Sequence, residues 1–335
     1  MKTEVLATHT RALFDAAVKR AVELLRAGEV VALPTETVYG LAANALDAKA
    51  VSRIYEIKGR PAHNPIIVHV SGVEMAKRCV ADWPELADKL ARAFWPGPLT
   101  MVLPRAREIP DMVTAGGATV GVRWPSHPLI QEVIRSCDFP LAAPSANLSN
   151  QISPTNADHV AKQLAGKIPL IVDGGQAQVG IESTVLDLTE RPPRLLRPGM
   201  IHERALMAVT QDATLGFGDG GRVLKSPGQL AKHYAPKAKL MVLKWRDETD
   251  LNAQIATLKN RFPNPHVIAH THIPSQVGFG SVSVIPHDVE AYARALYAEL
   301  HRCDELGAAL IVVEAPPDTS EWRAIADRLK RASSG

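Results

Sequence analysis

The alternation of short apolar runs with helix-period segments, through nearly the whole length, most constrains what this chain can fold into. Leu13, Ala17, Ala21, Leu24 and Leu25 lie on one face of a helix over residues 11–27, and Gly28 ends that pattern. Residues 30–33 read as a short buried strand closed by Pro34. A second helix runs through Val51, Ile54 and Ile57 to Gly59, and residues 66–70 form a β-branched run of buried-strand type. Further on, the spacing predicts helices near 84–94, 127–136 and 155–165, with strands near 99–103, 119–123, 140–143, 168–173 and 183–188. Interleaving of this kind places helices on a twisted sheet and defines an α/β domain.

A chain of 335 residues outgrows a single core, so a second domain is expected. The periodicity lapses over 209–237, where Gly216-Phe-Gly-Asp-Gly-Gly-Arg222 and Ser226-Pro-Gly228 read as a linker. It resumes with strands at Lys239–Leu243, 267–269, 281–285 and 310–313, and helices near 249–261, 288–306 and 320–331. The expected division is therefore 1–208, a linker over 209–237, and a smaller α/β domain over 238–335. Gly216, Gly218 and Gly221 satisfy the dinucleotide fingerprint G-x-G-x-x-G. Without a preceding strand or a following helix, those glycines cannot aim amides at a pyrophosphate.

Composition excludes more than it selects. The 38 Lys and Arg against 35 Asp and Glu leave a formal charge of +3, too little for a broad nucleic-acid footprint, so any phosphate-binding cations must be local. Cys79, Cys137 and Cys303 are widely spaced and odd in number, which suits a reducing compartment rather than a disulfide framework. No apolar leader region opens the chain, and no run approaches the ~18 apolar residues of a membrane span. A soluble cytoplasmic protein is expected. The P-loop, the G-x-S-x-G elbow and H-E-x-x-H are all absent. His270 and His272 could share one side of a strand, but no third metal ligand stands near them in sequence, and no metal site is expected.

The polar signal concentrates where strands end. Lys58-Gly-Arg60-Pro-Ala-His-Asn64 places two cations around a glycine at a helix terminus. There they either answer the helix dipole or clamp phosphate, the lysine as a point charge and the arginine as a planar fork. Pro144-Ser145-Ala-Asn147-Leu-Ser149 follows a strand at an end where open α/β sheets bind ligands, though Ser and Asn also make ordinary turns. Pro34-Thr-Glu-Thr37-Val-Tyr39-Gly40 follows another strand, Arg123 ends one where it could pair a carboxylate, Ser183 and Thr184 begin one, and Arg197-Pro-Gly199 ends one.

These blocks, with Asn64-Pro65, Trp95-Pro-Gly-Pro-Leu-Thr100 and Gly121-Val-Arg123, resemble in order and spacing the YrdC-like family of threonylcarbamoyl-AMP synthases. Ser226-Pro-Gly228 and His233-Tyr234-Ala-Pro236 resemble the linker of its long, two-domain form. The resemblance implies a twisted open mixed sheet with flanking helices and a concave groove, followed by a smaller Rossmann-like α/β domain. It implies an enzyme that converts L-threonine, bicarbonate or CO2, and ATP with Mg²⁺ into threonylcarbamoyl-AMP and pyrophosphate, for the N6-threonylcarbamoyl modification of tRNA adenosine. By matching position, Arg60, Asn64, Thr119, Ser145, Asn147, Ser153, Arg197 and Tyr234 would contact ATP, with Lys58 as the second clamp cation and His233 as the substitute for Tyr234. Lys58 and Arg60 would be the catalytic pair. Thr37, His69, Arg123, Ala143 (through its backbone) and Ser183 would hold threonine. The linker over 216–236 would cover the ATP site. Transfer to tRNA would fall to a separate complex, with direct tRNA binding weak or absent and no membrane involved. The rival readings are a double-stranded RNA-binding module and a carbamoyl transferase of the same fold.

Overall fold

The computed structural model describes residues 2–211, 215–217 and 234–334. The described residues divide into two units, the second made of residues from 234 onward together with Asn150–Ile152. In the first unit the elements run β1 (Glu4–Ala7), α1 (Arg11–Arg26), β2 (Val31–Leu33), β3 (Gly40–Asn44), α2 (Ala48–Lys58), β4 (Val68–His69), α3 (Val73–Cys79), α4 (Glu85–Phe94), β5 (Leu99–Pro104) and α5 (Asp111–Thr114). They continue through β6 (Thr119–Arg123), α6 (Pro128–Cys137), β7 (Leu141–Ala142), α7 (Ala157–Leu164), β8 (Leu170–Asp173), β9 (Thr184–Asp187), β10 (Arg194–Arg197), α8 (Glu203–Thr210) and β11 (Gly216–Phe217).

The strands pair in the order β1-β8-β2-β3-β7-β4-β6-β5-β9-β10-β11, a mixed sheet as expected. Helix boundaries follow local chemistry. Thr10 caps α1 by accepting from the Leu13 amide, and Asp47 caps α2 by accepting from the amides of Lys49 and Ala50. Gly59 ends α2 at φ 58°, a left-handed conformation suited to glycine, which sets Lys58 and Arg60 on either side of the turn.

The site is positioned by alternation along the central strands. Leu99, Met101, Leu103, Val120 and Val122 enter the main core, together with Ile66, Val68 and Val70 around β4. The residues between them, including Thr100, Thr119, Gly121, Arg123, Ile67 and His69, face the other side of the sheet. At Gly121 a Cβ would lie 3.1 Å from Thr100 Cγ2 and 3.5 Å from Ile67 Cγ1, which confirms that these three share that face. Thr119, Arg123 and His69 thus share one sheet face, with His69, Arg123 and Arg197 at strand ends as the sequence suggests, while Lys58, Arg60, Asn64, Ser145 and Asn147 lie at a helix end and in loops.

Several elements differ from the expected pattern. The strand read over 66–70 pairs only at Val68–His69. β1, β3, α3 and α8 were not expected. α8 carries the first unit past residue 208, and β11 pairs parallel to β10 at Arg194–Gly216 and Leu195–Phe217, inside the stretch read as linker. Gly218, Gly221, Ser226-Pro-Gly228 and His233, and with them most of the expected linker, lie outside the described residues.

The second unit holds β12 (Lys239–Leu243), α9 (Glu248–Lys259), β13 (His266–Ala269), β14 (Ser281–Val284), α10 (Val289–Glu305), β15 (Leu310–Glu314) and α11 (Arg323–Ser333). Its four strands form a smaller, wholly parallel sheet in the order β12-β15-β13-β14. At its carboxyl edge the buried Glu314 accepts from the amides of His270 (2.7 Å) and Thr271 (2.9 Å) and bonds His272 Nδ1 at 2.8 Å. Burial alone would raise that carboxyl, and these bonds outweigh it, so its pKa falls below the usual carboxylate value. Among the described residues no three His, Cys, Asp or Glu side chains gather as metal ligands, and no helix is long and apolar enough to cross a membrane.

Candidate active site

Lys58 lies 3% exposed at the end of α2. Its ammonium donates to Ser145 O at 2.6 Å, Asn147 O at 2.5 Å and Asn147 Oδ1 at 3.1 Å, one acceptor for each N–H. Burial, and then the Arg60 charge, pull its pKa well down. Three oxygen acceptors favour the charged form, so an ammonium is held here by dipoles. Ser145 Oγ in turn donates to Asn147 Oδ1 at 2.6 Å. Lys58 therefore fixes the Ser145–Asn147 turn, and contributes charge to the site with its own donors already engaged.

Beyond Gly59, Arg60 donates from Nε to Asn64 O at 3.0 Å and from Nη2 to Pro65 O at 2.7 Å. These bonds stiffen the loop entering β4 and turn the Asn64 side chain inward. That carboxamide is fully buried, and among the described residues neither its oxygen nor its nitrogen has a hydrogen-bond partner. An unsatisfied buried amide costs about 1–3 kcal/mol, so a ligand that bonds both atoms gains from it.

The second group centres on the ends of β4 and β6, where His69 and Arg123 stand in register. Arg123 is 4% exposed, with Nη2 donating to Glu36 Oε1 at 2.7 Å and Nε to Gly97 O at 3.3 Å. Burial, and then the Arg123 charge, drive the His69 pKa well down, so the ring is neutral at physiological pH; its Nδ1 is buried with no partner among the described residues. Ser183 bonds Thr100 Oγ1 at 2.8 Å and accepts from Arg197 Nη2 at 3.0 Å, while Arg197 Nε donates to Ser183 O at 3.0 Å. Ser153 donates to Glu182 Oε1 at 2.6 Å, one residue before Ser183.

The segment from Thr35 to Gly40 joins the two groups. Glu36 reaches Arg123, the Thr37 carbonyl accepts from Gly180 N at 3.1 Å, and Gly40 bridges Ser145. Thr37 Oγ1 lies 2.9 Å from Thr35 Oγ1. The Ala143 amide donates to Ile67 O at 3.1 Å.

Two candidates remain. Thr119 begins β6 and so lies at the opposite end of that strand from Arg123, though on the same face. Tyr234 belongs to the second unit, where it adopts φ 62° and is buried, its ring 5.9 Å from that of Tyr297 and 5.3 Å from the Arg328 guanidinium carbon.

Glu36, Thr100 and Glu182 hold candidate residues in place, yet the sequence reading assigned none of them a role. All three lie inside motif blocks of the sequence, Glu36 in 34–40, Thr100 in 95–100 and Glu182 in 181–185. A carboxylate within a run otherwise bound for burial, Pro34-Thr-Glu-Thr-Val, was the signal available, because such a group needs a partner.

Both parts of the chain match known proteins. Residues 23–199 match the family model described as "Telomere recombination", and residues 200–334 match the one described as "Threonylcarbamoyl-AMP synthase, C-terminal domain". The threonylcarbamoyl-AMP synthase of Pyrococcus abyssi is 40% identical over 322 residues, covering 94% of this chain and 94% of the relative. That of Bacillus subtilis is 40% identical over 330 residues, covering 96% and 94%. The crystal structure of P. abyssi Sua5 complexed with L-threonine matches with a TM-score of 0.90 at 38% identity, covering 99% of this chain and 98% of that one. With both of its parts matched and relatives aligned along nearly its whole length, this chain belongs to the threonylcarbamoyl-AMP synthase family.

Proposed function

We propose that this enzyme condenses L-threonine, bicarbonate or CO2, and ATP into threonylcarbamoyl-AMP, releasing pyrophosphate. The observation that carries the reading is the buried set around the Thr35–Gly40 segment. Lys58 and Arg60 stand beside the Ser145–Asn147 turn on one side, and Arg123 and neutral His69 on the other. A triphosphate suits the first group and an amino acid the second.

In this chemistry the threonine amine takes up CO2 to give a carbamate, the carbamate oxygen attacks the α-phosphorus, and pyrophosphate leaves. With bicarbonate as the source, one water is also released. No covalent enzyme intermediate is needed, so positioning and charge neutralisation supply the rate. Lys58 would neutralise phosphate charge from beneath the Ser145–Asn147 turn. The Asn64 carboxamide would bond the nucleotide through its two unpaired atoms, Arg197 would steady Ser183, and Arg123 and His69 would face threonine. Mg²⁺ would enter on the triphosphate as part of the substrate; among the described residues no three His, Cys, Asp or Glu side chains gather as metal ligands. The labile product would then pass to a separate tRNA-modifying complex in the cytosol.

The test is to incubate the full chain with labelled bicarbonate, L-threonine and ATP and to resolve the nucleotides. A labelled adenylate that vanishes when threonine is omitted, with pyrophosphate formed in equal amount, is expected. Label incorporated only from carbamoyl phosphate would favour the carbamoyl transferase reading instead.

A further inference from the structure

The ion pair between Glu36 and Arg123 is incomplete on both sides. Glu36 is 6% exposed, and its Oε1 takes the Arg123 Nη2 bond at 2.7 Å. Its Oε2 is buried with no hydrogen-bond partner among the described residues. Arg123 uses Nη2 and Nε, and its Nη1 makes no hydrogen bond among the described residues. A buried carboxylate normally fills all its lone-pair sites, because leaving one open in a dry environment is costly. An open anionic arm beside an open cationic arm is the complement of a zwitterion. The neighbouring His69 ring is neutral and adds no charge of its own.

We propose that Glu36 reads the α-amino group of the amino-acid substrate: its Oε2 accepts from the substrate nitrogen while the open edge of Arg123 pairs the substrate carboxylate. This deepens the reading above and rests on it. The nitrogen carries at least one N–H as ammonium, as amine and as carbamate, so a single acceptor can hold it through all three states. Glu36 thereby selects α-amino acids over hydroxy acids of the same size and keeps the nitrogen in place while it acquires CO2. Its side chain is otherwise anchored through Arg123. The segment that carries it is pinned by the Val179 N to Glu36 O bond at 2.7 Å, so its reach is set by the fold.

The test is calorimetric titration of the full chain with L-threonine and with 3-hydroxybutanoate, which keeps the hydroxyl and carboxylate but lacks the amine. The wild type is expected to prefer threonine by more than about tenfold, in line with a charge-assisted bond. Glu36→Gln should weaken threonine by more than about tenfold and leave 3-hydroxybutanoate within about twofold, erasing the preference. Threonine affinity at the wild-type level in that variant, or an equal loss for both ligands, overturns the proposal. If Glu36→Gln also loses ATP affinity and melts early, Glu36→Asp decides. The retained charge should keep a preference for threonine, and loss of that preference with normal melting overturns the assignment. Failure of the parent reading looks different, since the wild type would then make no labelled adenylate at all.

Discussion

At the scale of single residues, Lys58 and Arg60 look alike in the sequence and do different work. Lys58 ties three oxygens of one turn to the end of α2, so its removal strands three acceptors in a buried place. Arg60 braces the loop that aims Asn64. Lys58→Ala is expected to lower ATP-dependent pyrophosphate release more than about tenfold and to cost about 1–3 kcal/mol of stability in urea titration. Arg60→Ala should cut the rate by more than about tenfold as well. Lys58→Arg should not rescue the first variant, because a planar fork cannot meet the same three acceptors. Near-normal rates in both alanine variants would remove these side chains from the site. The cluster was legible as a set of motifs. The pairing of Glu36 with Arg123 was not, since 87 positions separate them in sequence and no local pattern joins them.

At the scale of elements, legibility followed the strength of local signals. α1 and α2 carry side-chain caps and apolar faces, and both were plain in the sequence. β3 reads Gly-Leu-Ala-Ala-Asn, without a β-branched or aromatic residue, and exists because β2 and β7 pair with it on either side. α3 starts at Gly72 with no side-chain cap, so nothing local announced it. α7 shows how one element sets a pH response. Its His159 imidazole is pushed down to about 4, chiefly by burial and further by Lys162. Its Nδ1 accepts from the Thr155 amide at 3.4 Å, a bond that needs that nitrogen unprotonated. A histidine whose folded pKa lies below its unfolded value binds fewer protons when native, so stability rises with pH across that interval. Urea midpoints should therefore fall as pH drops from about 6.5 toward 4, and His159→Gln should flatten part of that slope. The remainder belongs to buried groups such as His69, whose pKa is also lowered. An identical slope in the variant would show that His159 is not depressed.

At the scale of the whole molecule, the question is where the first unit must end to stand alone. Its core runs from Ala17 to Leu215, and Leu206 and Leu215 are both buried in it. A chain stopped at residue 208 cuts α8 before Thr210 and discards Leu215 with the β11 pairing. A chain stopped at 217 keeps both. Burying one leucine contributes about 1.5–3 kcal/mol, and opening the edge of β10 adds a further loss. The shorter fragment should thus be less stable than the longer by about 2–3 kcal/mol in urea titration, with its midpoint shifted and its slope little changed. Neither fragment contains Ala235, whose backbone pairs with the Asn150–Ile152 segment. That segment follows Ser149 directly and precedes Ser153, so both fragments should bind ATP more weakly than the full chain even where the longer one is well folded. Equal stability of the two fragments would mean that the core closes before α8 ends. Full-strength ATP binding by the longer fragment would mean that the nucleotide site is complete without the Ala235 pairing.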